Sequence, residues 1–498
     1  MNPSRVALAV LTLLAAPAAA AQESPGASWI DQPRDWSETL RADATALHAA
    51  IIDSHPGVHD SLNPEFRARV DAGLAVALER AAVTTDAGGW WWALRAFTAS
   101  FDDGHVQINL KAQGAGFPTR WPGFLTVRDG AEHVVASRDE TDASVPPAGA
   151  RLVDCDGVPA DRLAAERIGA FRGRWFLESQ QALFSDWLFM NASNPWTPEM
   201  RSCRFSHGGE TETYALNWRR IEPADLSGRR NTLAQRPRPE FGLRVLDDGA
   251  VWMSLPSFNG APGSDAHTAL VPLLADAADR QAALRSAPRV VLDLRGNGGG
   301  SSHWSREIAL ILWGEEWVRA HTPPPVEAIE WRTSDANLAV VQGYLDEWTA
   351  AGESAERIGW AREIVEGMTA ARAAGLPYWR DAAEVPPAAG EPGAPPAQPM
   401  AGPVYVLTDP VCSSACLDAV DLWKAMGAVQ IGRETSADTV YMDVREEALP
   451  SGLAGLVIPM KVWRGRPRGN NEPQRPAHVF AGPMGDAAAL EAWVRTLP

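Results

Sequence analysis

Long apolar runs are scarce in this chain. After the stretch 6–16, no run of about 20 apolar residues follows, which argues against a membrane span in the mature chain. Positive charge is in deficit. The formal net charge is −17, and a surface this acidic repels phosphate backbones, so nucleic acid is excluded as a partner. The Gly-Lys-Ser/Thr step of a phosphate loop is missing, as is dinucleotide-binding glycine spacing. Cysteine is limited to four residues. Cys155 and Cys203 fall in segments that read as strands, and a bridge between them would close a loop of about 48 residues, worth roughly 4 kcal/mol in the loop-entropy model. Cys412 and Cys416 flank Ser413-Ser414 and can pair only if the chain bends tightly there. Either bridge fits an oxidising compartment.

The residues present describe a large exported protein. A chain of 498 residues exceeds one compact core and implies two to four domains. With 45% hydrophobic residues a sizeable core is within reach. The 21 tryptophans serve cores, and some are available for a groove that takes extended or apolar ligands. At the start, Arg5 precedes the apolar stretch 6–16, and Ala19-Ala20-Ala21 offers a small-residue cleavage site before Gln22. The expectation is a signal peptide over 1–21 and a periplasmic or extracellular location.

Along the chain the pattern changes several times. Leu40, Leu47, Ile51 and Ile52 recur near helical spacing until His55-Pro56 stops the run. Asn63-Pro64-Glu65 opens a second helix carrying Phe66, Val70, Leu74 and Leu78. Gly88-Gly89 reads as a break, with helical pattern resuming over 90–101. This predicts a helical N-terminal domain over 22–114. Short strand-like runs follow, with Asp156-Gly157 as a tight turn. They predict a small β module over 115–225, loosely similar to a PDZ domain, which would dock extended chains by strand addition. Strand and helix then alternate, and Val290-Val291-Leu292-Asp293-Leu294 has the near-continuous apolar character of a strand buried on both faces. The core is expected over 226–314 and again over 404–498. Between them lies an Ala-, Glu- and Trp-rich helical insertion, 315–403, ending in a Pro/Gly-rich return loop. The fold class is α/β.

Two strand-to-helix turns carry the chemistry. Arg295-Gly296-Asn297-Gly298-Gly299-Gly300 can turn sharply and present N–H groups to an oxyanion, although many such turns are merely Gly-rich. Asp409-Pro410-Val411-Cys412-Ser413-Ser414-Ala415-Cys416 puts a serine at a helix N-terminus, where capping is its commoner use and nucleophilic attack the sharper alternative. A nucleophilic serine needs a base. His105, in Asp102-Asp103-Gly104-His105, stands at the junction of the helical domain and the next strand, and His303 after the glycine loop is its rival.

These pieces resemble a known family. Asp293-Leu294-Arg295-Gly296-Asn297-Gly298-Gly299 is similar to the Asp-Leu-Arg-x-Asn-x-Gly signature of the tail-specific (C-terminal-processing) and tricorn-core serine peptidases. Ser413-Ser414-Ala415 resembles their nucleophile turn, and Asp103-Gly104-His105 resembles the Asp-Gly-His of the tricorn-like branch. The likeness runs with gaps from about residue 35 to 482. It implies a crotonase/ClpP-like α/β catalytic core and serine peptidase activity on a peptide or protein substrate, with neither metal nor cofactor. Ser414 is the implied nucleophile and His105 the general base. The N–H groups of Ala415 and of Gly298 or Gly299 would form the oxyanion hole. Two departures stand out. The Ser-Lys members carry a lysine downstream of the nucleophile, whereas this chain has Thr435-Ser436-Ala437-Asp438-Thr439, and Lys424 and Lys461 do not fit. Tricorn-like members often have Ser before the base, where Gly104 stands here. Glu472 matches the family's late orienting glutamate, with Asp102 and Asp103 as alternatives. A non-catalytic binding protein for an apolar ligand or peptide is the other function the same fold allows.

Overall fold

The structure, a computed structural model, describes residues 29–112, 116–233, 239–322, 327–382 and 397–498. The expected signal peptide and residues 386–396 of the return loop lie outside them. Among the described residues no helix is long and apolar enough to cross a membrane, and no three His, Cys, Asp or Glu side chains cluster as metal ligands would.

The helical start forms as its periodicity requires. Helix Trp36–Ser54 is capped by Asp35, which accepts the Glu38 N–H, and buries Leu40, Ala44, Leu47 and Ile51 on one face. Helix Phe66–Ala81 begins just after Asn63-Pro64-Glu65. The third helix, Ala87–Ala99, contains Gly88-Gly89 in its first turn instead of starting after them. Asp86 caps it by accepting the Gly89 N–H at 2.8 Å. A Cβ on Gly88 would lie 2.0 Å from Ser193 O, so this glycine serves close approach to the neighbouring module and does not break the helix.

Strands Phe124–Asp129, Glu132–Arg138, Arg151–Cys155, Ser202–His207 and Glu210–Ala215, with the short Val158–Pro159, build the sheet of the β module. Asp156 and Gly157 both have positive φ, 47° and 81°, as the expected two-residue hairpin turn demands. Cys155 and Cys203 are cross-strand partners and form a disulfide.

The alternating strand-and-helix half forms a six-stranded sheet. Strands Val251–Ser254, Val290–Asp293, Val404–Thr408, Val429–Gly432 and His478–Val479 run parallel, with Gly242–Val245 antiparallel at one edge. Both faces are covered. Val290, Leu292, Val404 and Val406 pack under helices Asp265–Asp279, His303–Trp313 and Ala415–Ala425, while Val291, Tyr405 and Leu407 meet Phe480, Leu490 and Val494. This two-sided burial is the physical content of the continuous apolar runs.

The chain's last part does not all return to this sheet. Strands Tyr441–Ala448 and Ala454–Arg464 leave it to form a separate five-stranded sheet with Gln107–Leu110, Ala328–Arg332 and Tyr378–Ala382. The insertion, expected to be helical, therefore also contributes two strands beside its helices Asp335–Ala351 and Ala355–Ala373. The long strand Ala454–Arg464 sits between the N-terminal strand and the insertion. It holds the segment just after His105 in register with the C-terminal half.

Candidate active site

The glycine turn is built on a buried ion pair. Asp293, fully buried at the end of its strand, accepts from Arg295 Nη2 at 2.6 Å and from Trp252 Nε1 at 3.0 Å. Arg295 Nη1 also donates to Met484 O at 2.6 Å. The Asp-Leu-Arg motif is thus a scaffold that fixes where the following turn begins. Asn297 then spans the turn, with Nδ2 donating to Leu255 O at 2.7 Å and Oδ1 accepting the Gly299 N–H at 2.9 Å. Gly299 has φ 99°, and a Cβ there would lie 2.6 Å from Ser413 O and 2.9 Å from Ser414 Cβ. Only glycine lets the two turns touch.

Asp409 joins the turns. Its carboxylate accepts the Gly296 N–H at 2.9 Å and the Val411 N–H at 3.0 Å. Burial pushes its carboxyl up to about 7. The folded protein therefore binds this proton more tightly than the unfolded chain, so the stability Asp409 contributes falls as pH rises from about 4 to about 7. Asp409→Asn should remove that slope. In denaturant titrations across this range, wild-type stability minus variant stability should decline with pH, and a flat difference would show that Asp409 does not titrate there.

The second turn places Ser414 at the N-terminus of helix Ala415–Ala425 with φ 55° and ψ −128°, a backbone conformation that residues with side chains rarely adopt. Its side chain makes no capping hydrogen bond. Ser413 is engaged instead, its hydroxyl donating to Gly298 O at 3.1 Å. Capping thus accounts for neither serine. Cys412 and Cys416, both fully buried, are disulfide-linked and bracket the pair, so the chain does bend tightly here. Among the described residues, the Gly298 and Ala415 N–H groups have no hydrogen-bond partner. The Gly299 N–H donates to Asn297 Oδ1.

Ser414, Gly298 and His105 line one cavity of about 360 Å³. His105 arrives from the junction of helix Ala87–Ala99 and strand Gln107–Leu110. The nearest carboxylate to its ring is Asp103, whose Oδ1 lies 3.8 Å from Nδ1 and accepts the His105 backbone N–H at 2.8 Å. Asp103 Oδ2 accepts from Thr439 Oγ1 at 2.9 Å. Behind it, His55 is fully buried and its Nδ1 accepts the Gly57 N–H, which leaves the proton on Nε2, 3.9 Å from Asp103 Oδ2. Burial holds His55 below the ordinary histidine value. Burial works against the Asp103 charge, but His55 and His105 outweigh it and keep that carboxyl below its ordinary value.

The other sequence candidates lie apart. Glu472 is exposed, and its carboxylate accepts the Gly469 N–H at 2.7 Å, closing its own turn. No hydrogen bond or ion pair among the described residues joins it to His105. His303 is exposed and faces Glu307 at 4.0 Å. Lys424 donates to Gln474 and Lys461 pairs with Asp443, and neither lines the cavity. The lysine-free segment 435–439 supplies Ser436, Ala437 and Asp438 to the cavity wall. Arg174 and Gln180 from the β module complete it, unsignalled by any motif. Gly104 is explained by Arg174, since a Cβ there would lie 2.8 Å from its Nη1. No tryptophan lines the cavity, and Trp90, Trp252, Trp331 and Trp423 are fully buried in cores.

No family model and no curated protein matches the sequence. Among solved structures, mature CPAF is similar at 11% identity, with a TM-score of 0.58 over 92% of this chain and 96% of that chain. CPAF complexed with lactacystin is similar at 11% identity and a TM-score of 0.56, over 92% and 97%. The photosystem II D1 C-terminal processing protease is more distant, at 13% identity and a TM-score of 0.33 over 92% and 97%. At such identities the CPAF likeness is one of fold, spanning nearly the whole of both chains.

Proposed function

We propose that this protein is a serine peptidase of the tail-specific/tricorn-core type. The observation that carries the reading is the shared cavity. It is lined by a strained, uncapped Ser414, the imidazole of His105 and Gly298, whose N–H is unpartnered, on turns tied together by Gly299 and Asp409, and the unpartnered N–H of Ala415 directly follows the serine. His105 takes the proton of Ser414 Oγ, which attacks a peptide carbonyl carbon. The N–H groups of Gly298 and Ala415 hold the resulting oxyanion, a donor of this kind being worth roughly 3 kcal/mol in the transition state. The imidazolium, supported by the Asp103 carboxylate, returns its proton to the departing amine. Water, deprotonated by His105, then releases the acyl group.

The expected result is hydrolysis of an unstructured polypeptide such as casein, lost in step with fluorophosphonate labelling. Full turnover by a fully labelled protein, or no labelling of a folded one, would remove the serine mechanism. Export is part of the proposal. The two disulfides support an oxidising compartment, in keeping with the apolar leader read over 1–21.

A further inference from the structure

Beside the catalytic cavity lies a smaller pocket of about 150 Å³, and three arginines line it: Arg95, Arg172 and Arg174. The two spaces are adjacent, sharing Gly104, Gln107, Arg174, Gln180 and Phe184 in their walls. In a chain of net charge −17 this concentration of guanidinium groups needs a cause. Two of the three have visible structural duties. Arg172 lies over the rings of Phe184 and Trp187, at 4.6 and 4.2 Å. Arg174 donates to Ala437 O at 2.5 Å, and its backbone N–H is held by Asp102 Oδ1 at 2.7 Å.

Arg95 has no such duty. It projects from helix Ala87–Ala99, and among the described residues its side chain has no hydrogen bond, ion pair or ring contact. The buried arginines Arg295, Arg445 and Arg468 are paired with Asp293, Glu447 and Asp438, whereas Arg95 is half-buried in the pocket wall without such a partner. Burial drives Arg95 down to about 10, so it remains a cation at neutral pH while lacking a counter-charge. The one acidic side chain in the pocket wall, among the described residues, is Asp103. Its carboxylate is already committed to the His105 N–H and to Thr439. The pocket therefore keeps positive charge facing a space next to the nucleophile's cavity.

We infer that this pocket, through the unpartnered Arg95 in its wall, binds a carboxylate of the peptide substrate and thereby sets which peptides are cleaved. The inference rests on the peptidase reading and adds a substrate class to it. The fork of N–H donors on a guanidinium matches the two oxygens of a carboxylate, and a charge-assisted bond in a recessed pocket is among the stronger polar contacts available. Two sources present this group on a peptide: an Asp or Glu side chain near the cut bond, and the free C-terminus. Arg95 touches none of the reacting atoms, so its contribution belongs in substrate binding.

The test walks a single glutamate along an otherwise neutral, C-terminally amidated peptide, and adds the neutral peptide with a free C-terminus. One of these carboxylates should raise kcat/KM about 10- to 100-fold over the neutral amidated peptide, mainly through KM. Arg95→Gln should erase that gain while leaving the neutral peptide's turnover unchanged, and Arg95→Lys should restore part of it. A gain tied to one glutamate position assigns the side chain, and a gain tied to the free end assigns the terminus. The same peptides titrated into Ser414→Ala protein, with and without Arg95→Gln, read binding without turnover, so a failed peptidase reading stays distinct from an inert pocket. The inference is overturned if no carboxylate improves binding, or if the improvement survives Arg95→Gln in a variant that melts normally.

Discussion

Ser414→Ala should abolish fluorophosphonate labelling and lower peptide turnover by about 10⁴-fold or more, whereas Ser413→Ala should keep the label and lose about tenfold at most. The two serines are adjacent and chemically identical, so geometry decides between them. Ser413 Oγ is committed to Gly298 O at 3.1 Å. Both line the cavity with His105, but Ser414 has no capping bond and precedes the open N–H of Ala415. The backbone adds an independent signature. At φ 55° and ψ −128° a residue with a Cβ is strained, of order 1–3 kcal/mol, and glycine is not. Ser414→Gly should therefore be more stable than Ser414→Ala by about that amount in denaturant titrations, while both are inactive. The Ser414 hydroxyl makes no capping bond that would account for this strain, and strained backbone of this kind clusters at active sites. Equal labelling of Ser414→Ala and wild type would remove Ser414 from the mechanism.

Much of this site was legible because the relevant signals are local. Val290–Asp293 and Val404–Thr408 are short apolar runs ending in Gly- or Ser-rich turns, and both faces of each are buried. That pattern survives in a one-dimensional reading because every position points into a core. Strands Ala328–Arg332 and Tyr378–Ala382 were not legible. They carry Glu330, Arg332, Arg380 and Asp381, and they flank the two long helices Asp335–Ala351 and Ala355–Ala373. Their pairing partner Ala454–Arg464 lies far along the chain. Gly88-Gly89 misled for a related reason: the contact that requires glycine, Ser193 O, is remote in sequence. The same limit governs the site. Arg174 enters the cavity from a loop of the β module, and His55 reaches Asp103 from the end of the first helix. No spacing rule brings such residues together. The late Glu472 fitted a motif by position, yet its carboxylate closes a turn on Gly469. Asp103, an alternative to Glu472 in the sequence, holds its own turn through the His105 N–H and also stands nearest the imidazole.

His105→Ala should lower turnover by about three orders of magnitude or more with the fold intact, and His303→Ala should leave it within about twofold. Hydroxyl activation requires a base within reach of Ser414 Oγ, and His105 is the one imidazole lining the cavity among the described residues, with no lysine beside it. Its support also has a testable structure. Asp103 Oδ1 stands 3.8 Å from His105 Nδ1, too long for a hydrogen bond in the free protein and short enough to become one when substrate draws the imidazole forward. Asp103→Asn should therefore cut kcat strongly, by about 10²-fold or more, with little change in KM, because it removes the charge that stabilises the imidazolium. Glu472→Gln should behave as wild type, since that carboxylate only closes a loop on Gly469. His55→Gln tests the layer behind. It removes the Nε2–H facing Asp103 Oδ2 at 3.9 Å and the acceptor for the Gly57 N–H, so kcat should fall less than in Asp103→Asn. The order of kcat loss, His105→Ala above Asp103→Asn above His55→Gln above Glu472→Gln, follows distance from the reacting oxygen along this chain of contacts. Near-normal turnover in His105→Ala, or a large loss confined to Glu472→Gln, would break that order and return the orienting role to the C-terminal loop.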